Sequence, residues 1–300
     1  MKIGLIGLGD IAEKAYLPVI SKTQHEISLY TRNEVKLKEI AEKYRFSNIH
    51  RTLESMIEEG ISAAFVHAAT SAHEDIIEQL LNKNIHVYVD KPITFQFDSV
   101  KKLTELAGSR NLVLMTGFNR RFAPVYKSLK SIQDINMIVM QKNRIKLPAD
   151  VRTFVFDDFI HVVDTLRYLF PYPIDNLIVN GRKENGLLHH VVVQLLSNNG
   201  CTAIGIMNRD SGAVQEKLEV FSPGEKREVL NVNESFQLTN KNTTHFGTGD
   251  WEPVLCKRGF EQIVDSFLKS VMENKESEIG MYDALETHRI CEEVVRVLEC

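Results

Sequence analysis

At roughly 150 residues per domain, the 300-residue chain is expected to form two domains. Its 43% apolar and 25% charged residues fit a soluble globular protein and exclude collagenous or low-complexity sequence. A net charge of −4, from 40 acids against 36 Lys and Arg, argues against a dedicated nucleic-acid binder, which carries a basic balance or stripe.

The chain has no run of about 18 apolar residues, so no helix is expected to span a membrane. The opening MKIGLIGLGD is too short an apolar stretch for a signal peptide and runs into Asp10, Glu13 and Lys14. Cys201, Cys256, Cys291 and Cys300 are scattered without a CxxC pair or metal-ligand spacing. They read as reduced thiols of a cytoplasmic protein, with no metal site.

In chain order, β-branched apolar runs at Ile3–Ile6, Ile27–Tyr30, Ala63–His67, Ile85–Val89 and Leu112–Thr116, with a weaker one near Phe46–Ile49, read as strands. Amphipathic stretches of helical length, Glu34–Tyr44, Ala72–Asn82 and Asp98–Ala107, separate them. Nearly continuous apolar strands alternating with helices predict a doubly wound parallel sheet covered on both faces. Gly7-Leu8-Gly9-Asp10-Ile11-Ala12 follows the first strand and opens a helix, the G-x-G-x-x-A context of a Rossmann-type fold. Gly7 permits the tight turn, Gly9 lets a pyrophosphate approach the backbone, and Ala12 lets helix and strand pack closely. An NAD-selective domain carries an acid at the end of the second strand to bind the ribose hydroxyl. Here Tyr30-Thr31-Arg32-Asn33 has none. Thr31 and the Arg32 guanidinium suit a 2′-phosphate, so NADP is the expected cofactor, with NAD the alternative. The fourth and fifth strands run into Ala69-Thr70-Ser71-Ala72-His73 and Asp90-Lys91-Pro92. Ligands of open α/β sheets bind at the carboxyl ends of the strands, which places Lys91 toward a cofactor's reactive ring.

Beyond Phe122 the texture changes. Met137–Asn143, Asn176–Asn180, Leu188–Leu196, Cys201–Met207, Lys217–Phe221 and Glu228–Val232 read as strands with short, Gly- and Asn-punctuated connections. Helices are expected at Asp157–Phe170, Gly259–Met272 and Met281–Leu298. The fold class is therefore α/β: a Rossmann-type parallel sheet over residues 1–120, then an α+β domain over 121–300 with an open, mainly antiparallel sheet. The terminal helices have the option of packing back on the first domain. In an α-helix from Asp157, at about 100° per residue, Asp157, His161, Asp164 and Tyr168 share one stripe of a largely buried cylinder. Such a stripe suits proton transfer; the alternative is an ordinary polar face with Asp157 and Asp158 favouring the helix N-terminus.

Several ordered motifs together resemble the Gfo/Idh/MocA oxidoreductase family, and within it the short MviM-type proteins. They are Gly7–Ala12, FVHAATSAH (65–73), VYVDKP (87–92), GFNRRFAP (117–124), DDFIHVVD (157–164) and Arg258-Gly259-Phe260. The resemblance covers the whole chain and implies a nicotinamide-dependent enzyme acting on a CH–OH group of a small sugar- or polyol-like substrate. The family's Glu-Lys-Pro falls on Asp90-Lys91-Pro92, where the Lys polarises the reacting oxygen, and its Asp-x-x-x-His pair falls on Asp157 and His161. Thr70 and Asn119 match positions that line the cofactor. On this reading His161 moves the hydroxyl proton, Asp157 orients it, and Asp158 is a rival orienting acid. The alternatives are a dinucleotide-binding sensor without turnover and a redox-neutral NAD-using glycosidase. Arg120-Arg121 would meet an anionic group or form a solvated pair. Lys241–Asp250 reads as a surface loop or a lid. Val191, Val193 and Leu195 alternate with Val192, Gln194 and Leu196, so both faces of that strand are apolar and a sheet-to-sheet homodimer is expected.

Overall fold

Six apolar runs pair side by side as β1 (Lys2–Ile6), β2 (Glu26–Tyr30), β3 (Asn48–His50), β4 (Ala63–Val66), β5 (His86–Val89) and β6 (Leu114–Thr116). Every pairing is parallel, in the order β3-β2-β1-β4-β5-β6. The order reverses between β1 and β4, the switch point at which open α/β sheets bind ligands. Alternate residues face opposite sides. On one side Ala64, Val66, Val87 and Val89 pack with Ile77, Leu81 and Leu103 of the flanking helices. On the other, Phe65 and Tyr88 meet Phe267 at ring-centroid separations of 5.0 and 5.6 Å. Phe267 belongs to the helix Phe260–Glu273, so this sheet completes its cover with a segment from far along the chain.

The computed structural model describes residues 1–247, 249 and 251–300. It divides into unit 1, Met1–Phe118 with Phe260–Glu286, and unit 2, Asn119–Gly259 with Thr287–Cys300. Among the described residues, no helix is long and apolar enough to cross a membrane.

Unit 2 holds β7 (Met137–Asn143), β8 (Asn176–Glu184), β9 (Leu187–Leu196), β10 (Thr202–Asn208), β11 (Gln215–Phe221), β12 (Lys226–Leu230), β13 (Glu234–Thr239) and β14 (Asn242–Phe246). They form one sheet, β14-β13-β12-β11-β7-β10-β9-β8, in which β7 and β10 are parallel and all other neighbours antiparallel. The helix Ile160–Leu169 packs on one face. Gly205 makes room for it, because a Cβ there would lie 2.9 Å from Leu166 and 3.0 Å from Val162.

Two expectations need correction. The segment 241–250 is not simply a loop: Asn242–Phe246 is the edge strand β14, while Thr248 and Asp250 lie outside the described residues. Nor does a regular α-helix begin at Asp157. Asp150 caps the segment by accepting the Thr153 amide at 2.9 Å, and Val151–Thr153 leads into a π-helix, Phe154–Phe159, before Ile160. A π-turn bonds i to i+5, so the 100° stripe fails over its first residues and Asp157 and Asp158 are not at a helix N-terminus.

Candidate active site

In unit 1, a groove of about 420 Å³ opens at the switch point, lined by Gly7, Leu8 and Gly9 after β1, Thr31 and Arg32 after β2, and Ala68 and Ala69 after β4. Gly7 has φ +85°, and a Cβ there would sit 2.4 Å from the Ala68 amide nitrogen. Only glycine combines that backbone with so close an approach. Around Gly9, by contrast, a Cβ would meet nothing within 4 Å. The space is open on the groove side, as a pyrophosphate cradle requires. Ala12 is fully buried where the helix meets the sheet. These features fit a dinucleotide. Asp10 turns to Lys14 at 2.7 Å, and Ile11 is partly exposed. The acids Glu54 and Asp75 also line the groove. They were not singled out in the sequence, since both look like ordinary first-turn helix acids.

Thr70 opens a short 3-10 turn, Thr70–Ala72, and His73 behaves differently from the cofactor contact expected of it. Its Nδ1 lies 3.0 Å from the Pro92 carbonyl and its Nε2 2.9 Å from that of Ala68. Whichever nitrogen carries the proton, the buried ring donates to main chain, either on the loop that carries Lys91 or at the end of β4. Next to Lys91, Asp90 accepts from the Tyr16 hydroxyl at 3.4 Å, and Tyr16 and Tyr88 share a 2.7 Å hydrogen bond. Burial raises the Asp90 carboxyl above the usual carboxylate range, against the pull of Lys91 and His73. Tyr16 stacks on His67 at 4.0 Å. His67 lines the groove, its ring nitrogens have no hydrogen-bond partner among the described residues, and burial lowers it to about 3, so it stays neutral.

In unit 2, His161 is buried on the helix Ile160–Leu169, and Asp157 is half-buried on the π-helical turn before it. The other acids expected around them have structural partners. Asp164 is held in a fork by Arg121, Nε to Oδ2 at 2.9 Å and Nη2 to Oδ1 at 2.6 Å, and accepts from Thr287 at 3.1 Å. Asp158 is bound by the Lys142 ammonium and by Arg144 Nε at 3.1 Å. That engages both carboxylate oxygens with cations. The Arg120-Arg121 pair is not solvated: both are buried, and Arg120 forks onto Glu216 with two 2.7 Å bonds. Tyr126 donates to the same carboxylate at 2.9 Å. Burial alone would raise Glu216, but Arg120 and Lys142 hold it at about 2. Lys142 moves the other way: burial and the neighbouring Arg120 lower it to about 7, against Asp158 and Glu216. Lys142, Arg144 and Glu216 escaped sequence reasoning because charges on alternating strands look like a solvated face. Asn119, expected at the cofactor, donates its side-chain amide to the Arg258 carbonyl at 2.8 Å. Beside it, Gly259 (φ +79°) lets the Asn119 carbonyl approach to 2.3 Å of where a Cβ would be.

Residues 1–118 match the family described as oxidoreductase family, NAD-binding Rossmann fold (Gfo/Idh/MocA), and residues 124–240 match the YceM-like C-terminal domain. The chain is 32% identical to the dehydrogenase MviM of Clostridium difficile, whose crystal structure superposes with a TM-score of 0.92 over 99% of both chains. It is 29% identical to the YceM protein of Salmonella typhimurium over 99% of this chain and 97% of that one. A myo-inositol 2-dehydrogenase of Thermotoga maritima is 26% identical over 78% of this chain and 77% of its own length.

Proposed function

We propose, since the chain belongs to the Gfo/Idh/MocA family of NAD(P)-dependent oxidoreductases, that it interconverts a hydroxyl and a carbonyl on a small sugar- or polyol-like molecule. The observation that carries this reading is the glycine turn, whose Gly9 leaves open space on a groove at the sheet's switch point. The likeness to a myo-inositol 2-dehydrogenase supports a polyol-type substrate. When bound, the nicotinamide accepts or supplies the hydride. Lys91 donates from Nζ to the substrate oxygen and stabilises negative charge developing there. His161 takes the hydroxyl proton during oxidation and returns it during reduction, and Asp157 orients the imidazole. His73 donates to main chain, either on the Lys91 loop or at the end of β4. Nucleotide co-purification followed by a panel of sugars and polyols tests the reading. Bound nicotinamide cofactor with no turnover across the panel would favour a sensor.

Arg32 is the one cation among the described residues lining the groove, which supports NADP over NAD. A charged hydrogen bond is worth about 1.5–3 kcal/mol, so NADPH should bind roughly 10- to 100-fold tighter than NADH. Arg32→Asp should reverse the preference. Gly9→Ala should weaken both cofactors without lowering thermal stability, because a Cβ there meets no protein atom within 4 Å. Nicotinamide fluorescence titrations check all three, and equal wild-type affinities would rule out the NADP assignment.

The sheet of unit 2 supports a homodimer. Val191, Val193 and Leu195 are fully buried, yet on the opposite face Ile178 is 46% and Met137 40% exposed. Val139, Val192, Ile204 and Ile206 between them are only half-buried. A second copy laid on this face covers a continuous apolar strip. Light scattering at micromolar concentration should give twice the chain mass of 34.2 kDa; a monomer mass would count against the dimer.

A further inference from the structure

We propose that unit 2 contains an oxyanion subsite, a cavity of about 80 Å³ where the end of β7 meets the start of β11, which takes the carboxylate or phosphoryl group of the substrate. The inference deepens the proposed function and rests on it in one respect: it makes the sugar-like substrate a sugar acid or a sugar phosphate instead of a neutral polyol.

Charge carries the argument. Arg120, Lys142, Arg144 and Arg258 line the cavity with a single acid, Glu216. The nearest further acid is Asp158, bound to Lys142 and Arg144. Of these cations, Arg120 and Lys142 are buried and paired with Glu216 and Asp158, whereas Arg144 is partly open and Arg258 exposed, so the cavity's mouth carries positive charge that Glu216 does not neutralise. Among the described residues no carboxylate pairs with the Arg258 guanidinium, although Asn119 fixes its main chain. A further cation stands at the same strand ends. Arg209 follows β10, which runs parallel beside β7 with Met207 opposite Lys142. It is 5% exposed, and its Nε and Nη1 are buried without a hydrogen-bond partner among the described residues. A buried guanidinium with open donors, as at Arg209, is costly unless an anion or water reaches it.

Size and position agree with this. At about 10–15 Å³ per water on the same measure, the cavity has room for a group of carboxylate or phosphate size. Asp158, which ties Lys142 and Arg144 together, stands next to Asp157 on the same π-helical turn. An anion bound here is therefore anchored to the turn that precedes His161. Lys142 faces Arg120, Arg144, Asp158 and Glu216, and burial together with the two neighbouring guanidiniums lowers it to about 7 against the two carboxylates. A bound anion favours its charged form, so binding near pH 7 takes up a proton.

Calorimetric titration of the full chain at fixed ionic strength, with inorganic phosphate and separately with malonate, tests the subsite without needing turnover. We expect saturable binding of at least one probe, with proton uptake seen as a heat that depends on the buffer. Arg258→Ala, on an exposed side chain, should weaken it by about tenfold or more, and Arg258→Lys should restore part of the loss. Binding of malonate alone points to a carboxylate substrate, and of phosphate alone to a phosphorylated one. If neither probe titrates, or if Arg258→Ala binds as tightly as the wild type, the subsite is overturned. Turnover of a neutral polyol alongside that result would leave the oxidoreductase reading intact.

Discussion

Lys91→Met and His161→Asn should each lower turnover by about 10²- to 10⁴-fold, the usual cost of losing a positioned acid or base. Cofactor affinity should stay within about twofold in both, because neither side chain lines the groove proposed for the dinucleotide. Met keeps most of the length of Lys91 but has no charge to place on a substrate oxygen. Asn keeps some hydrogen bonding at His161 but cannot take a proton near neutrality. Asp157→Asn should cost less than either if the carboxylate only orients the imidazole. Asp158→Asn is not an innocent control, since it removes the counterion of the buried Lys142 and should lower stability first. Steady-state kinetics on whichever substrate the panel identifies, with cofactor titrations alongside, decide the matter. Near-normal turnover in both Lys91→Met and His161→Asn would refute the mechanism.

The second large effect is on stability. Glu216→Gln leaves the Arg120 guanidinium, 11% exposed, facing Lys142 without its carboxylate. Removing one partner of a buried pair costs about 3–5 kcal/mol. Replacing both, as Arg120→Met with Glu216→Met, should recover much of that loss, because no uncompensated charge remains. Urea denaturation monitored in unit 2 checks the comparison, and a loss below about 1 kcal/mol in the single variant would mean that the pair is solvated. The pH dependence follows from the same carboxylate. Its folded-state value of about 2 lies below the ordinary 4.5, so its contribution is complete above pH 4.5 and disappears as pH falls toward 2. Asp158 is depressed in the same direction, by Lys142 and Arg144 against its burial. Acid unfolding should therefore steepen below pH 4.5 in the wild type and flatten in Glu216→Gln.

The parallel sheet could be read in the sequence because strands buried on both faces are unbroken apolar runs, as in Ala63–Val66. Glycines follow the first and last of them, Gly7 and Gly117, and the expected strand positions agree with the structure to within a few residues. β13 and β14, ESFQLT and NTTHF, could not be read in the same way. β14 is the edge strand and is exposed throughout, and β13 beside it buries only one residue fully, so neither has an apolar face that demands alternation. The π-helical turn was equally hidden. Its residues FVFDDF carry the apolar content of any buried helix, and one extra residue per turn leaves no mark in composition. The ion-pair network was invisible for a different reason: Arg120 and Glu216 stand 96 residues apart, and Arg121 and Asp164 stand 43 apart. A charge that will be buried against a distant partner looks the same as one that will face water. Residues held by local turn chemistry, Gly7 and Gly9, were therefore easier to find than the cations around Lys142.

The path of the chain limits how this protein can be taken apart. The sheet that carries the dinucleotide groove obtains part of its cover from Phe260–Glu273, and unit 1 is made of two segments separated by 119–259. A fragment ending at residue 118 would keep every glycine of the groove but leave Phe65 and Tyr88 without Phe267 against them. The nucleotide-binding half is thus not a portable cassette. Duplication or grafting of it has to carry a distant helix along, and a frameshift or early stop anywhere in the intervening 141 residues removes part of the first unit as well as the second.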